Sequence, residues 1–202
     1  MKYCSHCAGP LTVEVPPGED RPRHVCRQCG RIHYQNPRVV TGCLAEHEGR
    51  VLMCRRAIEP RRGLWTLPAG FMELGESVVE AALRETEEEA RARVDIEGLY
   101  TLFNLPDIGQ VYMMFRGTLR DQDWGPGPES LEVALFGERE IPWEELAFST
   151  IRHTLELWFD DRRRGHFPFR MGDILGRGSG QPVLRLWPEG QSSSIQRPKL
   201  HS

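Results

Sequence analysis

The sequence predicts an α/β/α sandwich, in which helices cover both faces of a mixed sheet, preceded by a small cysteine-based module. Apolar strand patterns alternate with two amphipathic helical patterns along the chain, an order typical of layered α/β folds. Two CxxC pairs stand ahead of the first long strand pattern. With 202 residues, 39% of them hydrophobic, the chain is long enough for one good core and an accessory module.

The overall composition argues against nucleic-acid-binding and membrane proteins. A formal net charge of −3 gives no general affinity for nucleic acid, so that class of partner is disfavoured. No apolar run approaches the length of a membrane span, and the first residues, MKYCSHC, lack the pattern of a secretory signal. We therefore expect a cytoplasmic protein with no membrane partner.

Residues 1–34 predict a zinc ribbon. Two CxxC pairs are separated by eighteen residues, and their cysteines are Cys4, Cys7, Cys26 and Cys29. Each pair folds into a tight turn that presents two thiolates, and four thiolates close a tetrahedron around Zn²⁺. Redox-active cysteines are the alternative, but disulfides would not persist in a reducing compartment. Because a fully ligated ion has no open coordination position, we predict a structural role for the zinc.

Several apolar segments predict the strands of the sheet. The runs at 39–45 and 51–54 flank Glu48-Gly49 and therefore predict an antiparallel hairpin. A loop rich in turn-forming residues, 123–130, precedes the last expected strand. After the first helix, strands are expected over 94–100, 109–120 and 131–136.

Four arginines follow the predicted hairpin within the segment 55–62. They could lie in a solvated loop, or they could bind the phosphates of an anionic substrate, and the sequence weighs the two alternatives about evenly. We select Arg56 and Arg62 as candidate substrate-binding residues.

The segment 70–91 combines a helix start with a cluster of carboxylates. Ser77 and Glu80 form a capping box, which predicts a helix that begins at about Val78. An apolar stripe on this helix is expected to face the core, namely Val79, Ala82, Leu83, Thr86 and Ala90.

Three glutamates lie beside this stripe. Glu85, Glu88 and Glu89 are spaced i, i+3, i+4, so they converge on one helix face and repel one another unless a cation lies between them. Carboxylate oxygens are hard ligands, which favours Mg²⁺ or Mn²⁺ over zinc. A solvated acidic helix is the alternative, since most charge runs are only exposed to water.

The signature formed by Gly70, five residues, Glu76, seven residues and then the run RETEEE at 84–89 resembles that of the Nudix hydrolases. The resemblance implies the Nudix fold over residues 35–171. Arg91 stands where the family usually has a glycine as helix C-cap, so the shape of the helix exit stays open.

The resemblance also implies site residues. The catalytic metal would be bound by the Gly70 carbonyl and by the three helix glutamates at 85, 88 and 89, while Arg84 would pair with Glu76 as structural support. Many Nudix enzymes place a further glutamate before an aromatic residue late in the sheet, where it binds metal or acts as a base. Glu132 matches that placement, and Glu129 is the second choice.

The catalytic residues are therefore predicted as Glu88, Glu89 and Glu132. Metal ligands are predicted at Gly70, Glu85, Glu88, Glu89 and Glu132. Either Glu132 or Glu88 could accept the proton of an attacking water, and the sequence does not decide between them.

Longer motifs refine the resemblance. The span from Cys4 to about Phe169 is similar to a subgroup with an N-terminal zinc ribbon, which includes plant-type enzymes that split FAD and ADP-ribose. The motifs are YQNP, GLWTLPAGFMELGES, PGPESLEVALF and IPWEELAF. NADH pyrophosphatases share the ribbon but carry SQPWPFP after the helix, where this chain has TLFNLPDIGQ. The resemblance therefore favours FAD or ADP-ribose as the small-molecule nucleotide substrate.

The predicted reaction is Mg²⁺-dependent hydrolysis of FAD or ADP-ribose to AMP plus FMN or ribose 5-phosphate. NADH pyrophosphatase activity and the decapping of nucleotide-capped RNA are alternatives that cleave the same kind of bond. A nucleotide-sensing module that binds without cleaving is an alternative of another class, which the three crowded glutamates disfavour. A homodimer is expected from the resemblance alone.

The last part of the chain predicts a second helix and a tail. Ser149 is expected to cap a helix over 150–164 that stops at Gly165. Beyond Met171 the composition shifts to Gly, Ser, Pro and Arg, which predicts a mostly disordered tail over 172–202. The apolar side of the second helix includes Ile151, Leu155, Trp158 and Phe159.

Overall fold

The computed structural model describes residues 1–176 and 182–187 of the chain. Contacts divide the chain into two compact units, Met1–Pro37 and Arg38–Ser202. Within the described residues, the helices are too short or too polar to cross a membrane.

The first unit is a small antiparallel sheet next to two cysteine turns. Its strands, in the spatial order β1-β2-β3, are β1 (Leu11–Glu14), β2 (Arg23–Cys26) and β3 (Ile32–His33). Apart from Cys26, the strand residues are exposed or only half-buried, so the sheet does not bury an apolar face of ordinary size. About thirty residues cannot build a stable core alone, and the buried Cys4 and Cys26 indicate that the cysteines hold this unit together.

The second unit is an α/β/α sandwich with a mixed sheet, as the sequence predicts. Its helices are α1 (Val78–Ala90) and α2 (Ser149–Arg164). The strands are β4 (Arg38–His47), β5 (Arg50–Arg56), β6 (Trp65–Thr66), β7 (Ala69–Phe71), β8 (Val94–Leu105), β9 (Gln110–Leu119), β10 (Ser130–Phe136), β11 (Arg170–Leu175) and β12 (Val183–Leu186). Their spatial order is β10-β5-β4-β9-β8-β11-β12, with β6 paired to β5 and β7 paired to β4.

The predicted hairpin is present, and its two strands separate soon after the turn. Glu48 and Gly49 both have positive φ angles, 51° and 75°, as a two-residue hairpin turn requires. β4 and β5 then pair at only two positions, because β6 pairs with β5 and β7 pairs with β4 instead. This arrangement brings β7 beside α1, where the acidic residues of the helix lie.

The capping box that starts α1 is confirmed, whereas the predicted stripe is partly wrong. Val79 is 37% exposed, while Ala81 and Glu89 are buried together with the expected Ala82 and Ala90. The helix is therefore rotated relative to the prediction, so that its buried face includes Glu89 instead of Val79. Its small alanines allow the helix to approach Cys43 and the other apolar residues of the sheet closely.

The second helix buries the four apolar residues that the sequence predicts, and it ends at Gly165 with a φ angle of 68°. Its N-cap is Phe148 rather than Ser149. Ser149 is already helical, and no side-chain hydrogen bond caps this end, so the backbone conformation of Phe148 alone sets the start.

Part of the predicted tail forms strands. β11 pairs in parallel with β8, and β12 pairs antiparallel with β11. The edge of β8 offers unpaired backbone groups that a following segment can satisfy, and Ile174 of β11 is buried against Phe103 and Leu105, so this segment extends the sheet. The rest of the tail prediction, over 177–181 and 188–202, lies outside the described residues.

Candidate functional site

The four predicted zinc ligands lie together. The Sγ atoms of Cys4, Cys7, Cys26 and Cys29 are all within 4.8 Å of one another, and all four cysteines are free. The Sγ atoms are 3.8 Å apart in the Cys4–Cys29 pair and 3.4 Å apart in the Cys7–Cys26 pair. Thiolates about 2.3 Å from a tetrahedral zinc ion lie about 3.8 Å from one another. The cluster therefore fits one closed, four-coordinate metal site.

Backbone groups favour the thiolate form in this cluster. The N–H groups of Cys29 and Gln28 lower the pKa of Cys26 to about 6, although burial opposes the change. The N–H of Gly9 is the largest influence on Cys7 and acts in the same direction, but contacts with the other three cysteines and burial together outweigh it and raise the pKa of Cys7 to about 12. Neighbouring thiolates therefore oppose one another, and a bound cation removes that opposition.

The start and the end of α1 both have well-formed caps. Ser77 N–H donates to Glu80 Oε2 at 2.7 Å, and Glu80 N–H donates to Ser77 Oγ at 3.3 Å. At the other end, Arg91 adopts the left-handed conformation with φ 50°, and its N–H donates to the Glu87 carbonyl at 2.8 Å. Arg91 thus ends the helix in the way a glycine does, which answers the question that the sequence leaves open.

Arg84 lies among three carboxylates. Its Nε and Nη2 donate to Glu76 at 2.9 and 2.8 Å. Its Nη1 donates to Glu85 at 2.8 Å and to Glu88 at 3.0 Å. Hydrogen bonding to Arg84 is the largest cause that lowers the pKa of Glu76 to about 2. The guanidinium therefore offsets the repulsion within the acidic face and orients Glu85 and Glu88.

Glu89 is the buried member of the acidic face. It is 5% exposed, and its Oε2 accepts a hydrogen bond from Ala69 N–H at 3.0 Å. Burial is the main cause that raises its pKa to about 8, and the charges of Glu85 and Glu129 act in the same direction. A carboxyl group in this environment favours a nearby cation, because a cation restores its ionised form.

Gly70 leaves room for the carboxylate of Glu85, in addition to its predicted role as a metal ligand. The Glu85 carboxylate lies so close to its Cα that a Cβ at position 70 would overlap it. Burial also raises the pKa of Glu85. β7 therefore contacts two of the three helix glutamates, one through Ala69 and one through Gly70.

The carboxylates of α1 are chemically suited to a hard divalent cation, but their oxygen atoms do not lie as close together as the Sγ atoms of the four cysteines. Over residues 1–176 and 182–187, the four cysteines are the group of metal-ligating side chains close enough to hold an ion as they stand. Arg84 and Ala69 instead hold Glu85, Glu88 and Glu89 in separate hydrogen bonds. An ion would compete with these protein partners.

The two candidates for the further glutamate have different surroundings. Glu132 lies opposite Arg55 in the β10–β5 ladder, and the Arg55 Nη1–Glu132 Oε2 distance is 3.7 Å. Because side chains alternate along a strand, Glu132 lies on the same face of β10 as Phe136. Phe136 packs on the α2 side of the sheet, so Glu132 also lies on that side. The charge of Glu129, in contrast, raises the pKa of both Glu85 and Glu89. The surroundings therefore favour Glu129, the second choice of the sequence analysis.

The two selected arginines also differ. Arg56 is only 9% exposed, its Nε donates to the Pro60 carbonyl at 2.9 Å, and its guanidinium lies 5.3 Å from the centre of the Phe148 ring. Its charge lowers the pKa of Glu89, so it lies on the carboxylate side of the unit. Arg62 is exposed.

The loop before β10 contributes contacts that the sequence analysis missed. Gly125 N–H donates to the Ala90 carbonyl at 2.8 Å, and Gly127 N–H donates to the Glu89 carbonyl at 3.1 Å. The loop therefore caps the end of the acidic helix. The run GPGPE at 125–129 is the signal that could have suggested a close backbone approach.

Fold and site together define an α/β/α sandwich that carries an acidic helix, preceded by a cysteine-based metal site. Residues 2–35 match the Nudix N-terminal zinc-ribbon family, and residues 35–158 match the NUDIX domain family. The chain belongs to the Nudix family.

Individual relatives agree with this assignment. A Nudix hydrolase from Nitrosomonas europaea of known structure is 53% identical, with a TM-score of 0.83, over 86% of this chain and 99% of its own. The NAD-capped RNA hydrolase NudC of Chromobacterium violaceum is 35% identical over 46% of this chain. The ADP-ribose pyrophosphatase of Methanocaldococcus jannaschii is 34% identical over 37% of this chain. The matched segments span 33% and 44% of the length of these last two relatives.

Proposed function

We propose that this protein is a Mg²⁺-dependent pyrophosphatase that hydrolyses the diphosphate bond of FAD or ADP-ribose, giving AMP and the other monophosphate. The observation that carries the proposal is the acidic face of α1, where Glu85 and Glu89 pack against β7 with pKa values raised by burial. Likeness to an ADP-ribose pyrophosphatase supports the substrate class. In the first unit, we assign the four-cysteine site to a structural zinc ion.

Hydrolysis requires that charge on the diphosphate be neutralised and that water attack one phosphorus atom, so that the bridging P–O bond breaks. Bound Mg²⁺ supplies the neutralising charge and acidifies the attacking water. Glu85, Glu88, Glu89 and the Gly70 carbonyl would hold it. Arg84 remains paired with Glu76 and keeps the helix side chains aligned.

A carboxylate must accept the proton of the attacking water. We assign this role to Glu129, because its charge acts on Glu85 and Glu89, whereas Glu132 pairs with Arg55. Glu88, which is exposed at the edge of the cluster, is the alternative acceptor.

Arg56 is the proposed phosphate-binding side chain. Its guanidinium is held by the Pro60 carbonyl and the Phe148 ring, so little conformational freedom is lost when it binds an anion. Arg62 is exposed and would contribute mainly long-range attraction, which salt screens.

A second candidate function is the hydrolysis of NAD-capped RNA or NADH. The likeness to the NAD-capped RNA hydrolase NudC favours it. The bond that is cleaved has the same chemistry, so the same carboxylates would serve. The predicted cytoplasmic location and homodimer stay predictions under either function.

The test is a hydrolysis panel of FAD, ADP-ribose, NADH and NAD-capped RNA with Mg²⁺, in which AMP and its partner product are separated by chromatography. Glu89→Gln is run beside the matched control Glu87→Gln, since Glu87 lies on the same helix and is exposed. Cleavage of FAD or ADP-ribose that is lost only in Glu89→Gln supports the proposal. Cleavage of capped RNA or NADH alone supports the second candidate. Tight binding without turnover indicates a sensing module and contradicts both.

A further inference from the structure

We propose that Gly127 is a positioning residue, which lets the exit loop (residues 120–129, between β9 and β10) dock on the end of α1 and so holds Glu129 beside the carboxylates of that helix. The inference rests on the proposed function and deepens it. It explains how a residue outside the Nudix signature could be fixed relative to the acidic face.

The docking is made by backbone groups. The last carbonyls of a helix have no partner within the helix. Here the Gly127 N–H donates to the Glu89 carbonyl at 3.1 Å, and the Gly125 N–H donates to the Ala90 carbonyl at 2.8 Å. The exit loop is therefore attached to the same helical turn that carries Glu88 and Glu89.

The two glycines of this loop are not equivalent. A Cβ at position 127 would overlap the carbonyl oxygen of Glu88, and Gly127 is buried. A Cβ at position 125 would meet no atom within 4 Å. Close approach of the loop to α1 therefore requires glycine at 127 only, because backbone carbonyls cannot move aside as the end of a flexible side chain can.

Docking at Gly127 fixes the backbone of Glu129 from both sides. Ser130 N–H donates to the Gly127 carbonyl at 3.1 Å, and Ala57 N–H donates to the Glu129 carbonyl at 2.8 Å. Ala57 follows Arg56 at the end of β5. The residue proposed to accept the proton is thus held between the end of α1 and the end of β5. The influence of its charge on Glu85 and Glu89 agrees with this placement.

The first experiment compares Gly127→Ala with the matched control Gly125→Ala. Turnover of FAD and ADP-ribose with Mg²⁺ is measured as separate kcat and KM values, and folding is checked by thermal unfolding. We expect kcat of Gly127→Ala to fall about 10- to 100-fold, the effect of a small misplacement of a reacting group, with KM nearly unchanged. Gly125→Ala should stay within about twofold of the wild type, because it keeps its N–H and has free space.

A double-mutant cycle separates positioning from general destabilisation. If Gly127 acts through Glu129, adding Gly127→Ala to Glu129→Gln should lower kcat by less than about threefold further, since coupled residues are not additive. Effects that multiply in the double variant, or a Gly127→Ala enzyme that behaves like Gly125→Ala, would overturn the inference.

A further variant covers the case in which Gly127→Ala does not fold. Glu129→Asp leaves the backbone unchanged and withdraws the carboxylate by one methylene, so we expect a kcat loss of about tenfold or more. Wild-type rates in Glu129→Asp and Glu129→Gln would overturn the inference. A wild-type chain that cleaves neither FAD nor ADP-ribose would overturn the proposed function and this inference together. An active wild type with insensitive Glu129 variants would overturn the inference and the role assigned to Glu129, and would leave the proposed reaction in place.

Discussion

The cysteine cluster and the acidic face of α1 are both suited to a metal ion, but their ligands are held in opposite ways. The four Sγ atoms lie within 4.8 Å of one another, and backbone N–H groups favour the Cys26 thiolate. The helix glutamates instead have protein partners, since Arg84 binds Glu85 and Glu88 and Ala69 binds Glu89. The four thiol groups are already gathered for one ion, whereas each of the three glutamates has a separate hydrogen-bond partner in the protein.

The difference separates a structural ion from an exchangeable one. Four thiolates leave no coordination position for water or substrate, and the small first unit has little else to hold it together. Carboxylates that can return to Arg84 and Ala69 pay a smaller penalty when an ion leaves. We therefore expect zinc to be held permanently and the ion on α1 to exchange with solvent.

The largest effect is expected when the acidic face is altered and the cysteines are left intact. Glu89→Gln removes a buried ligand charge, so kcat with FAD or ADP-ribose should fall by about 10³-fold or more. Zinc content, measured by mass spectrometry, should stay at the wild-type level. Glu87→Gln, on the same helix, should retain activity within a few fold. Full turnover by Glu89→Gln would show that the metal is bound elsewhere.

Removing one thiolate tests the other half of the comparison. Cys26→Ala should lose most of the bound zinc, because an incomplete ligand set binds far more weakly. Amide hydrogen exchange should then become fast throughout residues 1–37. Cys43→Ala is the matched control, since Cys43 is a buried free cysteine of the second unit and should leave the zinc content unchanged. Retained zinc in Cys26→Ala would contradict a four-thiolate site.

A smaller effect is expected in the pH dependence of stability without added Mg²⁺. The folded pKa of Glu89 is raised to about 8 by burial and by Glu85 and Glu129, although Arg56 opposes the change. The folded chain therefore keeps a proton that the unfolded chain releases, so the stability of the wild type should fall as pH rises from about 4.5 to 8. Glu89→Gln lacks this term and should be more stable than the wild type at pH 8, by on the order of 2 kcal/mol.

Urea unfolding followed by tryptophan fluorescence measures this difference. All five tryptophans lie in the second unit, so the signal reports that unit in buffers that leave zinc in place. The gap between Glu89→Gln and the wild type should close toward pH 5 and on addition of Mg²⁺. Curves that stay parallel from pH 5 to 8 would show that Glu89 is ionised at neutral pH without an ion.

Local sequence signals account for much of the fold. The capping box at Ser77 places the start of α1 correctly, and Gly165 marks the end of α2. The burial of Glu89 in place of Val79 could not be predicted in this way. A helix rotates toward the surface that offers the better total packing, and that surface comes from distant strands.

The choice between Glu129 and Glu132 shows where sequence spacing stops being informative. The register of β10 on β5 shifts between Ser130 and Glu132, and a single extra residue changes the side of the sheet on which a side chain lies. The contacts of Gly127 with the end of α1 join segments nearly forty positions apart on the chain. A local sequence pattern around either segment does not include the other segment, so it does not predict these contacts.

The guanidinium of Arg84 also bears on how the folding of each unit would depend on the supply of metal. Because Arg84 offsets part of the repulsion among the carboxylates of α1, we expect the second unit to fold during synthesis even when magnesium is scarce. The thiolates of the first unit oppose one another, so we expect its folding to follow the supply of zinc. Under the proposed function, zinc would therefore be required once, when the chain is made, and magnesium at each turnover.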